Sequence, residues 1–218
     1  MIDRAIEKTR EGLVSVVSRL TCIATHNGMD RVLKSASYFR ISALERTERA
    51  LFLKDVNSYN SYLHEITQAI RYYDLSINLD SENATVYIMR GIAKYYLEDK
   101  TGAVSDYNLA IKLNPNYPTA YYVRGIVKYH LKEYTSAIID YDFAAKIDPI
   151  NALIYFKRAI VKENLYDYAG AIDDYSRAIE ISPEDARYYK GRAKINEKIG
   201  DSIGATADRH KAEELSAE

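Results

Sequence analysis

An all-α protein built from stacked helix pairs is what this chain of 218 residues predicts, on three observations. The first is a period. Gly91, Gly125 and Ala159, then Ala103, Ala137 and Ala171, then Tyr107, Tyr141 and Tyr175, then Pro115, Pro149 and Pro183 each recur every 34 residues without a gap. The second is that one period reads as two helices, for example Asn83 to Glu98 and Thr101 to Leu113, joined by a short polar turn. The third is the proline closing each period. It disfavours helical geometry in the residue before it, so Asn114, Asp148 and Ser182 are expected at helix ends.

Before the repeats, residues 2–25 place Ile2, Ala5, Ile6, Leu13, Val16, Val17, Leu20 and Ala24 at three- and four-residue spacings, the mark of an amphipathic helix. Asn27-Gly28 punctuates it. Met29, Val32, Leu33, Ala36, Phe39, Ala43 and Leu44 then predict a second helix to about Glu48. Residues 1–49 therefore read as a helical hairpin. It either caps the first repeat or docks elsewhere or dimerises.

From Ala50 onward the period divides the chain into units 50–83, 84–117, 118–151, 152–185 and 186–218. The outer two are irregular. The first has Asn57 at the Gly place and Ser81 at the Pro place, and the last has Arg209 where its siblings have Tyr. An end unit has one face without a neighbour and must tolerate water there. Counting places from the first residue of each unit, a small residue stands at the eighth and the twentieth. Gly91 and Ala103 are expected where two helices cross, since a larger side chain would widen the usual spacing of roughly 8–10 Å.

The period, the aromatic at the fourth place (Tyr87, Tyr121, Tyr155, Tyr189), the small residues and the closing proline resemble the tetratricopeptide repeat family over residues 50–218. The ArgGlyXaaAlaLysTyr wording is that of bacterial members. The resemblance implies a right-handed α-solenoid of antiparallel helix pairs whose first helices line a concave face. It also implies that ligand meets the second, fifth, ninth, twelfth and thirteenth places. Here the fifth and ninth hold Ile88 and Ile92, Tyr122 and Ile126, Phe156 and Ile160, then Lys190 and Lys194, and the thirteenth adds Tyr96, His130 and Asn164. An exposed apolar row ending in a basic cluster with Arg187 and Lys198 is thus expected to bind a helical or extended peptide. The chaperone-binding clamp of some members is not carried over, because Ser58 stands where it needs Asn.

A second pattern is ionic. Arg90, Arg124, Arg158 and Arg192 share the seventh place, and Asp106, Asp140, Asp174 and Asp208 the twenty-third. Lys94, Lys128 and Lys162 follow the Arg by one helical turn. The recurrence predicts Arg–Asp pairs, within a unit or between neighbours, that fix register more than they add stability.

Composition narrows the function. Thirty basic against 31 acidic residues leave no net field for nucleic acid or an acidic membrane. One cysteine, Cys22, excludes an internal disulfide, and no apolar run of membrane-spanning length is present. Leu13 to Ala24 is interrupted by Arg19 and preceded by Asp3, Glu7 and Glu11, unlike a secretory signal, so a cytoplasmic protein is expected. His26, His64, His130 and His210 are scattered without metal spacing. No phosphate loop or nucleophile elbow occurs, so neither cofactor, metal nor catalysis is expected. Twenty-one Tyr with four Phe and no Trp make phenol rings the main large packing groups. The expected function is a protein-interaction scaffold. The alternative is a homo-oligomer in which the apolar row is covered by a second copy or by the chain's own N-terminal helix.

Overall fold

The computed structural model describes residues 39–40, 42–47 and 59–217. They fall in two compact units, Met1–Leu113 and Asn114–Glu218. The first contains α1 (Tyr59–Leu79), α2 (Ala84–Tyr96) and α3 (Lys100–Leu113). The second contains α4 (Pro118–His130), α5 (Tyr134–Ile147), α6 (Ala152–Asn164), α7 (Tyr168–Ile181), α8 (Ala186–Ile199) and α9 (Ser202–Ala217). The fold is all-α, and no strand occurs among the described residues.

Residues 39–40 and 42–47 are helical and lie antiparallel on α1. Phe39 stacks on Tyr72 at 5.9 Å, Arg40 pairs with Asp80 at 3.0 Å and Arg46 with Glu65 at 2.9 Å. They belong to the helix expected over Met29 to Glu48. The remainder of the expected N-terminal hairpin, including the helix over 2–25, lies outside the described residues.

From Ala84 onward every period is a helix pair, as the spacing predicts. One local device ends the first helix of every pair, and a second caps the following helix in three of the four. Glu98, Lys132, Tyr166 and Gly200 hold left-handed backbone (φ 62°, 63°, 60° and 86°), which ends the first helix. Asp99, Asp167 and Asp201 then cap the second helix by accepting from the backbone N–H of Gly102, Gly170 and Gly204 at 2.9–3.0 Å.

The unit 50–83 departs from expectation. Its described part is one unbroken helix across the place where the others turn. The corresponding residues are His64, Glu65 and Gln68. Glu65 gives its carboxylate to Arg46 rather than to a second helix's N-terminus, and α1 runs through.

The core repeats with the sequence. Tyr73, Tyr107, Tyr141 and Tyr175 are among the largest fully buried side chains, with Ala69, Ala103, Ala137 and Ala171 also buried. The need for glycine is steric. A Cβ on Gly91 would stand 2.5 Å from the Tyr107 ring, and one on Gly125 2.9 Å from Tyr141. In the second unit α5 packs on α6 and α7 on α8, while the first helices α4, α6 and α8 also touch in sequence.

Candidate functional site

The ionic pattern forms one constellation, repeated four times. Nη2 and Nε of the arginine fork onto the two aspartate oxygens: Arg90 on Asp106 at 2.5 and 2.9 Å, Arg124 on Asp140 at 2.6 and 3.0 Å, Arg158 on Asp174 at 2.6 and 2.9 Å, and Arg192 on Asp208 at 2.7 and 2.9 Å. Lys94, Lys128 and Lys162 each add a contact at 2.9 Å to the same carboxylate. In the last unit Asn196 takes that role at 3.4 Å. Each guanidinium also lies over the fourth-place tyrosine of its own helix, at 5.3–6.0 Å from the ring centre.

The arginines reach backwards as well. Nη1 of Arg90 bonds Asp74 at 2.7 Å, that of Arg158 bonds Asp142 at 2.6 Å, and that of Arg192 bonds Ser176 at 2.9 Å. Asp74, Asp142 and Ser176 share the twenty-fifth place of the preceding period, so one guanidinium ties two helix pairs together. Burial pulls the Arg158 pKa down, but its bonds to Asp174 and Asp142 outweigh that and raise it. The same opposition raises Arg90. These groups are structural cations.

The face expected to bind peptide differs from its sequence reading in one respect. Ile88, Ile92, Tyr122, Ile126 and Phe156 are only 1–8% exposed, and Ile160 is half-buried, so they are not an open apolar strip. The reason is the approach of successive first helices in the second unit. Phe156 of α6 meets Tyr188 of α8 at 5.1 Å and Tyr175 of α7 at 6.0 Å, while Tyr122 of α4 meets Tyr141 of α5 at 6.1 Å. Burial, joined by the neighbouring Tyr188, raises the Tyr122 pKa, and burial raises that of Tyr188 to about 12.

The polar residues of the same places are placed otherwise. His130, Asn164, Lys190 and Lys194 are exposed, and Tyr96 is half-buried. In the second unit His130, Asn164 and Lys194 follow Ile126, Ile160 and Lys190 by one helical turn, so they lie on the same helix face as those residues. Asn164 donates to the Ile160 carbonyl at 2.8 Å. Lys194 and Lys198 both pair with Glu163, at 2.6 and 2.9 Å. Burial alone would raise the Glu163 pKa, but the two lysines hold it below the usual carboxylate range. The basic end of the row is therefore partly satisfied from α6, and Lys190 approaches Ser216 at 3.4 Å.

Sequence reasoning placed Arg187 in the basic cluster that ends the row, but missed the Lys157 and Asp185 side chains beside it. Arg187 lies over Phe156 at 5.7 Å and over Tyr188 at 5.8 Å, and Lys157 places its Nζ 5.9 Å from the centre of the same Phe156 ring. Asp185 caps α8 by accepting from the Arg187 backbone N–H at 3.1 Å and is forked by the Arg187 guanidinium. None of these residues recurs with the period, so the repeat gave no signal for them. Among the described residues, no group of three or more His, Cys, Asp or Glu side chains could hold a metal ion, and no helix is long and apolar enough to cross a membrane.

The family model described as tetratricopeptide repeat matches residues 88–152. No curated protein matches the sequence. Among solved structures, one of MamA is similar over 71% of this chain and 90% of its own, at 23% identity and a TM-score of 0.67. MamA from Desulfovibrio magneticus RS-1 is similar over 77% and 95%, at 21% identity and a TM-score of 0.66. YrrB, a TPR protein with an unusual peptide-binding site, is similar over 87% and 94%, at 18% identity and a TM-score of 0.62. At these identities the likeness is one of fold. With the 34-residue period, the helix pairs and the repeated core in place, residues 88–152 are tetratricopeptide repeats, and the helix pairs that follow them share their fold.

Proposed function

We propose that the chain is a non-catalytic scaffold that binds a protein or peptide along the face formed by its first helices. The observation carrying this reading is the exposed rim of His130, Asn164, Lys190 and Lys194 beside buried rings on α4, α6 and α8. A polar rim beside an apolar floor is the arrangement in which a peptide gains both hydrogen bonds and desolvation. YrrB, which has a peptide-binding site on a similar fold, supports it. The floor differs from the sequence expectation: Tyr122, Ile126 and Phe156 are buried beneath the rim, and the partner reads mainly polar groups.

The test is selection of peptides from a random library on the full chain, followed by hydrogen exchange of the complex. Protection confined to α4, α6 and α8 is the expected outcome. Protection on the second helices instead would overturn the reading. A self-assembling protein is the second reading, favoured by exposed apolar side chains on second helices: Ile139 and Phe143 of α5 and Ile203 of α9. Sedimentation over a concentration series separates the two, since self-assembly predicts a mass that rises with concentration.

A further inference from the structure

The outer face of α5 departs from the period where the core keeps it. Ile139, Phe143 and Ile150 stand 50, 47 and 76% exposed in the unit 118–151. In the next unit the same places hold Asp173, Arg177 and Glu184, and Arg177 pairs with Glu180 at 2.8 Å, as a solvated helix face does. Earlier units carry Arg71 and Ser105 at the place of Ile139, and Glu82 and Asn116 at the place of Ile150. Packing inside the array repeats with the period, so large apolar groups that one unit alone exposes are not there to fill it. Tyr121 stacks on Phe143 at 5.4 Å and supports its ring from the array side.

The charges beside these groups decide what fits them. Asp142 and Lys146 lie one helical turn apart on the same exposed stripe. Asp142 accepts from Arg158 at its Oδ1, and 54% of its side chain stays exposed. A stripe with an acid and a base at that spacing is complementary to its own reverse. Two α5 helices crossing antiparallel bring each Asp142 toward the Lys146 of the other copy, whereas a parallel crossing sets like charge on like. From the Ile139–Phe143 stripe and the flanking Asp142 and Lys146 we infer that α5 is a two-fold interface between two copies of this chain, with Phe143 beside the axis. The inference deepens the self-assembling reading, on which it rests, and names its symmetry. It also sets a limit on strength. Even an aromatic side chain buries at most about 250 Å², so these three fall short of the roughly 800 Å² per partner of a standard interface. The dimer should be weak, with a Kd of about 10 μM to 1 mM.

Sedimentation of the full chain up to about 1 mM should show the mass rising to that of a dimer and no further, because an isologous contact closes on itself. Each substitution in such a contact counts twice. Ile139→Lys and, separately, Lys146→Glu should therefore weaken association by about tenfold or more with helical dichroism unchanged, while Asp173→Lys at the matching place of α7 should not. With p-benzoylphenylalanine at position 143, illumination should give a band of doubled mass in which both joined peptides come from 134–150. A constant monomer mass at about 1 mM would overturn the interface and self-assembly together. A rising mass that neither variant changes, or inter-chain cross-links on another helix, overturns the interface and leaves self-assembly standing. Cross-links within one chain to residues 2–25 would make the N-terminal stretch the occupant and overturn the interface as well.

Discussion

Replacing Asp174 by alanine probes the ionic constellation where its partners are most fully defined. The Asp174 carboxylate is 3% exposed and receives three charge-assisted bonds, two from Arg158 at 2.6 and 2.9 Å and one from Lys162 at 2.9 Å. Its removal strands two cations whose side chains are only 16% and 18% exposed. Breaking a buried pair from one side costs about 3–5 kcal/mol, because the remaining charge stays desolvated. Arg158 retains Asp142 at 2.6 Å, itself 54% exposed, which places the expected loss near the lower end, about 3 kcal/mol. Urea unfolding of the single variant at neutral pH measures it. Hydrogen exchange resolved by helix should show the loss concentrated in α6 and α7, since a repeat array opens locally. The companion variant Arg158→Met, Lys162→Met, Asp174→Leu removes every charge at once and should lie within about 1 kcal/mol of the parent. A loss under about 1 kcal/mol in Asp174→Ala, or a triple variant as weak as the single one, would refute the argument that stranded charge sets the cost.

Three further outcomes follow from the packing, the turns and the tyrosines. Gly91→Ala puts a methyl group 2.5 Å from the buried Tyr107 ring, which has no room to swing aside, so thermal or urea unfolding should show a loss of about 1–3 kcal/mol. Lys132→Gly relieves left-handed backbone at φ 63° and should raise stability by about 1 kcal/mol, whereas Lys132→Ala should leave it nearly unchanged. Burial raises the Tyr107, Tyr122 and Tyr175 pKa values above the ordinary tyrosine range and Tyr188 to about 12. Their contribution is therefore fully present below pH about 10, where an unfolded tyrosine begins to ionise, and is lost as pH rises through the folded values. With no Trp to interfere, tyrosinate absorbance should show a fraction of the 21 Tyr ionising together with loss of helical dichroism; smooth ionisation of all of them in the folded state would contradict this.

What the sequence made legible is what repeats. Tyr107, Tyr141 and Tyr175 occupy one place because one steric problem, a ring lodged between helices, is solved the same way in each unit. The Arg–Asp pattern shows for the same reason. Openness of the first-helix face was not legible, because it depends on how closely α4, α6 and α8 approach, and that distance is set by rings such as Tyr188 at a place the period does not mark. Lys157 and Arg187 both lie near the Phe156 ring but stand at different places of successive repeats, so no alignment of the chain with itself brings them together. The unbroken α1 was not legible: His64, Glu65 and Gln68 lack the Asp cap, but so do Lys132, Glu133 and Ser136, where the chain turns all the same, and the pairing of Glu65 with Arg46 needed the fold.

The backward reach of Arg90, Arg158 and Arg192 makes the units interchangeable parts. Each brings its own fork to its own aspartate and asks of its predecessor only a small acceptor at one place, which Asp74, Asp142 and Ser176 all supply. A tandem duplication of 152–185 would thus arrive with its joint already made: the copied Arg158 would find Ser176 where Arg192 finds it now, and the copied Ser176 would receive Arg192. Lengthening by whole periods then requires no compensating change elsewhere, whereas a gain or loss of any other number of residues would break the joint within which it falls.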